Sequence, residues 1–68
     1  MYILTDKSLI NCENVKVIDI VRDCGKYAVI ANPGGIIKRF DTQQKALNCI
    51  DDIACAIGND VKIFLAKE

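Results

Sequence analysis

The sequence predicts an α+β domain: an antiparallel sheet of four to five strands with one amphipathic helix packed on one face, in the order β-β-β-β-α-β. Three observations lead there. Residues 41–59, DTQQKALNCIDDIACAIGN, carry helical periodicity and recognisable ends, whereas the rest of the chain is short β-branched runs broken by turn residues. The third is an excess of apolar residues, 51% of a 68-residue chain, in a domain whose size leaves little interior.

The elements follow in order. Tyr2 to Leu4 reads as a first strand and Asp6-Lys7-Ser8 as a turn. Leu9-Ile10 continues the ladder before the polar break from Asn11 to Asn14. Val15 to Arg22 is a longer strand. Asp23-Cys24-Gly25-Lys26 is a tight connection in which glycine is available for positive φ. Tyr27 to Ala31 is the next strand, and Asn32-Pro33-Gly34-Gly35 is the strongest turn signal in the chain. Ile36 to Phe40 pairs back, the helix follows, and Val61 to Leu65 forms the closing strand.

Asp41 or Thr42 caps the helix, and with Asp41 as the cap Gln44 stands at the third position of a variant capping box. Ala46, Leu47, Ile50, Ile53, Ala54 and Ile57 recur at three- and four-residue steps and form the expected buried stripe. Gly58 suits a left-handed stop, with Asn59 behind it. Gln44, Asn48, Asp51, Asp52 and Cys55 fall on the opposite face.

Strand alternation gives a second expectation. Val15, Val17 and Val21 share one face with Asp19, while Ile18 and Ile20 share the other with Lys16 and Arg22. Tyr27, Val29 and Ala31 likewise oppose Ala28 and Ile30. One helix covers one face, so the other requires sheet curling, a side-switching bulge (Val17-Ile18 is the candidate) or a second copy of the chain. A homo-oligomer, with a dimer favoured, is the expectation.

Nine basic and nine acidic residues give a formal net charge of zero, which argues against strong electrostatic binding of nucleic acid or an acidic membrane. No signal peptide or membrane-length apolar run is visible, so residues 1–68 are read as a single domain, cytoplasmic in whatever cell makes it. Cys12, Cys24, Cys49 and Cys55 contain no C-x-x-C pair. Cys49 and Cys55 lie about 9 Å apart along one helix, too far round it to bridge or to share a zinc ion. Reduced thiols serving as small apolar residues are expected, with Cys55 exposed on the polar face.

The chain has no histidine, no catalytic carboxylate signature and no phosphate loop, so neither an enzyme nor a cofactor or metal is expected. Lys38 and Arg39 are adjacent on a strand and point to opposite sides; with Tyr27 and Phe40 they offer at most a minor platform for single-stranded nucleic acid. The one surface expected to address a partner is the helix's polar face: Asn48, Asp51, Asp52 and Cys55. An ordinary solvated surface is the plainer account of it.

The opening ILTDKSLINCENVKVI resembles that of small, mostly uncharacterised prophage-type proteins of low-GC Gram-positive bacteria. The matching positions are Asp6-Lys7-Ser8, Ile10-Asn11 and Glu13-Asn14-Val15, with Ile18 beyond. The helix entry, IKRFDTQQKA from Ile37 to Ala46, is similar to the family's L-G-x-Y-x-T-E-E-R-A. Lys38 stands where the family has glycine, and Gln43-Gln44 replaces its acidic pair. The resemblance implies a mobile-element origin and brings no binding residues with it. The expected function is therefore a non-enzymatic phage-type binding protein, its partner a host or defence-system protein, in the manner of anti-CRISPR inhibitors. The alternatives are an oligomeric sponge for a small ligand such as a nucleotide, and a nucleic-acid-binding regulator.

Overall fold

A computed structural model describes residues 1–66. The β-branched runs form β1 (Tyr2–Leu4), β2 (Leu9–Asn11), β3 (Val17–Asp23), β4 (Lys26–Asn32), β5 (Gly35–Phe40) and β6 (Ile63–Leu65), with α1 (Gln43–Gly58) between the last two. The class is α+β as expected, but the strands form two three-stranded sheets rather than one. A meander sheet has the order β3-β4-β5, all antiparallel. A small sheet has the order β2-β1-β6, with β1 antiparallel to β2 and parallel to β6.

The break lies where the chain turns polar. Cys12–Asn14 is a single 3-10 turn, capped by Asn11, whose Oδ1 accepts from Glu13 N–H at 3.0 Å. That turn separates the β1–β2 hairpin from the meander. β6 then pairs with β1 rather than β5, and the β4–β5 ladder carries a bulge.

The bulge answers part of the two-faced strand problem, though not at Val17-Ile18. The β3–β4 register runs unbroken from Val17 opposite Asn32 to Asp23 opposite Lys26. On β5, Lys38 opposes Val29 and Ile36 opposes Ile30, which leaves Ile37 as the extra residue. Ile37 thereby joins the core, 3% exposed, while Ile36 stays outside.

Both meander connections use positive φ. Cys24 (φ 49°) and Gly25 (φ 79°) make the two-residue β3–β4 turn, the mirror-image type that matches strand twist. Gly34 (φ 146°) and Gly35 (φ 111°) follow a cis Asn32–Pro33 bond into β5.

Thr42, not Asp41, caps α1: its Oγ1 accepts from Lys45 N–H at 3.2 Å. Gln44 therefore makes no capping box and donates instead to Asn48 Oδ1 at 3.0 Å. At the other end Gly58 remains helical, Asn59 is the cap, and Asp60 takes the left-handed conformation at φ 57°.

The buried stripe of α1 is Ala46, Cys49, Ile53 and Ala56, with Ile50 half-buried. Leu47, Ala54 and Ile57, expected inside, are exposed. The helix is thus rotated from its expected phase towards Cys49 and Ala56. Ile3 and Ile10 of the small sheet, Val29, Ala31 and Ile37 of the meander, and Ala46, Cys49 and Ile53 of α1 make one core. Ile18, Ile20 and Phe64 pack against it.

Candidate functional site

The four residues expected to meet a partner do share a surface. Asn48, Asp51, Asp52 and Cys55 follow one another at steps of three, one and three residues, which places them on one helix face, and all four are exposed. The rotation of α1 adds Leu47 and Ala54 beside them. Asn48 and Asp52 also border a shallow groove of about 300 Å³ between α1, β5 and β6, whose other walls include Lys38, Phe40 and Leu65. The strip is amphipathic and carries two carboxylates; nothing in it forms a catalytic team.

A second surface was not foreseen from the sequence. Register pairing sets Tyr2 beside Ile63, Leu4 beside Leu65, and Leu4 beside Leu9. Cross-strand partners share a face, so these five side chains stand together on the side of the small sheet away from Ile3, Ile10 and Phe64. Leu65 is 68% exposed, Leu9 58%, Ile63 54% and Tyr2 43%. None of them is charged. Parallel strand pairs are ordinarily covered on both faces, and β1–β6 is covered on one.

The outer face of the meander sheet is less uniform. Val17, Val21 and Ile36 are exposed there, but Asp19 sits between the valines. Arg39 Nε donates to Asp23 Oδ2 at 3.0 Å, and Lys26 Nζ lies 3.3 Å from Asp41 Oδ1. The hydrogen-bonded Arg39 guanidinium holds the Asp23 carboxyl below its ordinary range, with a hydrogen bond from Cys24 acting in the same direction.

Lys38 and Arg39 do separate to opposite sides. Arg39 meets Asp23, while the Lys38 ammonium lies 5.5 Å from the Phe40 ring centroid. Arg22 sits 5.4 Å from the Tyr27 ring, and Tyr27 and Phe40 face each other across β4–β5. Both aromatic residues pack against the core, so their rings are not open platforms for stacked bases.

The four thiols are free. Cys24 and Cys55 are exposed, Cys12 is half-buried and Cys49 is buried. Burial pushes the Cys49 thiol above its ordinary value, and the nearby Asp52 charge adds to the shift. Among the described residues no group of three or more histidine, cysteine, aspartate or glutamate side chains is placed to hold a metal ion, and no helix is long and apolar enough to cross a membrane.

Comparison with protein-family models, with curated proteins and with solved structures returned no significant match.

Proposed function

We propose that this chain is a non-enzymatic binding protein that works as a homodimer, with the outer face of the small sheet as the dimer contact. The observation that carries the reading is the uncharged cluster Tyr2, Leu4, Leu9, Ile63 and Leu65. An uncharged face meets its own copy without like charges opposing, which suits a two-fold contact. Five side chains make a small contact, so the dimer is of modest strength.

With that face closed, the helix strip of Asn48, Asp51, Asp52 and Cys55, widened by Leu47 and Ala54, remains free for another protein. The prophage resemblance directs that second contact to a host or defence-system protein in a bacterial cytoplasm. The two carboxylates favour a basic patch on that partner.

Light scattering across a micromolar-to-millimolar concentration series tests the dimer. The native chain is expected to approach twice the monomer mass, and the double variant Leu9→Lys with Leu65→Lys to stay monomeric while keeping its circular dichroism spectrum. A native chain that is monomeric throughout sinks the reading. The helix strip is tested separately with Asp51→Lys and Asp52→Lys. A host protein held by the native dimer should be released by this pair, and unchanged capture removes the strip from the proposal.

A further inference from the structure

β3 is an edge strand: in the order β3-β4-β5 it pairs only with β4 among the described residues. The hairpin turn decides which of its main-chain groups are free. A two-residue turn makes Asp23 and Lys26 a hydrogen-bonded pair, so Asp23, Val21, Asp19 and Val17 direct their N–H and C=O groups at β4. Ile18, Ile20 and Arg22 therefore present theirs outward. Lys16, just before them, donates its N–H to Asn32 O at 3.1 Å and ends the open stretch. Edges of this kind are ordinarily blunted by a proline, a bulge or a cover. β3 has seven residues in unbroken register and no proline, whereas β5, the other edge of the sheet, carries the bulge.

The start of the open edge borders a shallow hollow of about 270 Å³, lined by Cys12, Val15, Lys16, Val17, Ile18 and Ile57. Ile57, in the last turn of α1, is 58% exposed, and Val17 is 47% exposed. Ile18 and Ile20 lie on the helix side of the sheet, across from Ala31 and Val29 of the core. A side chain added opposite Ile18 would point the same way, between Ile18 and Ile57. On the other side of the sheet Asp19 stands between Val17 and Val21 and belongs to neither ion pair.

We infer that β3 accepts an extended segment of another protein as an added antiparallel strand, with an apolar residue opposite Ile18 and a basic residue opposite Asp19. Strand addition draws affinity from main-chain bonds and specificity from pockets for alternate side chains; the edge supplies the first and the hollow the second. The sheet is antiparallel throughout and open on one face, which suits an antiparallel addition rather than a parallel one. The Asp19 carboxylate sets the preference for a cation across from it.

A second copy of β3 makes a poor occupant. Antiparallel self-pairing about Asp19 opposes two Asp19 carboxylates, and pairing about Val21 sets Asp19 against Asp23 of the copy. Pairing about Ile20 brings Arg22 and Asp23 of the copy opposite Ile18 and Val17, which places charge at the apolar hollow. The contact uses neither the small-sheet face nor the helix strip, so its test stands apart from theirs.

The probe is a short blocked peptide of alternating valine and threonine in which one central valine is leucine and the next threonine is lysine. Amide hydrogen exchange read by NMR should find Ile18, Ile20 and Arg22 fast in the free protein and Asp19 and Val21 slow. The peptide should slow the fast set by about tenfold or more. N-methylation at its valines and leucine should abolish that protection, and N-methylation at its threonines should leave it. Asp19→Lys should weaken the lysine peptide severalfold and strengthen a version with glutamate in its place. Ile57→Lys should weaken the leucine peptide severalfold and an alanine version little. Both positions are exposed, so both variants should keep the native circular dichroism spectrum. Three results overturn the inference: no slowing at millimolar peptide, equal loss from N-methylation of either set, or Ile18, Ile20 and Arg22 already slow in the free protein and quickened by dilution, which would make the occupant a second copy.

Discussion

Gly34 turns its bare α-carbon towards Ile10: a β-carbon there would stand 3.1 Å from Ile10 Cγ2 and 3.2 Å from the Ala31 β-carbon. This approach joins the turn after β4 to the buried face of the small sheet.

Gly34→Ala should therefore be costly for two reasons, the crowding and the φ of 146°, and is expected to destabilise the fold by about 1–3 kcal/mol. Gly25 has positive φ as well but open space around it, so Gly25→Ala should cost less. Urea denaturation of both variants checks this, and equal losses would contradict the packing account.

Thr5 is 5% exposed, and its hydroxyl organises the whole β1–β2 turn. Thr5→Val keeps the shape but leaves the Ser8 and Lys7 amides without that acceptor. A loss of about 1–3 kcal/mol is expected, with Thr5→Ser recovering most of it.

Thiol reactivity should sort by position. Cys24 and Cys55 are expected to react with a thiol reagent in the native state, whereas Cys49 should react only on unfolding. The pH dependence follows from the raised Cys49 thiol. Its contribution to stability is complete below the unfolded value of 9.0 and is lost as pH rises through the higher folded value. Urea midpoints should fall above pH 9.0, and fall less steeply in Cys49→Ala.

The Asp23 carboxyl is lowered by Arg39, so the opposite sign applies. Its contribution is present above the ordinary value of 3.8 and is lost as pH falls through the lower folded value. Carboxyl titration by NMR in Arg39→Gln should return Asp23 towards 3.8. Because the pair is on the surface, the change in stability should be small.

The strands and turns were legible because their signals are local: Pro33-Gly34 and Cys24-Gly25 stop runs of β-branched residues wherever those runs lie. The helix was legible as an element but not in phase. Between Ala46 and Ile57 apolar residues occupy most positions, so periodicity alone does not separate Cys49 and Ala56 from Leu47 and Ala54. The parallel β1–β6 pair left no mark, since three-residue strands carry no pairing code. The apolar face follows from that pairing alone: Tyr2 and Leu4 find Ile63 and Leu65 through register, not through sequence neighbourhood. The helix strip was readable because its four residues sit on one turn-spaced face of a single element.

The pairing of β1 with β6 also sets a timetable. Tyr2 N–H donates to Lys62 O and Ala66 N–H to Leu4 O, so the earliest strand is completed by nearly the last described residues. During synthesis the second edge of β1 has no strand partner until β6 has left the ribosome. The hairpins of both sheets have local contacts, and the β1–β6 pairing, which joins the two ends of the described chain, is the one with the longest loop to close. A pause in translation within α1 would hold the chain with that edge of β1 unpaired.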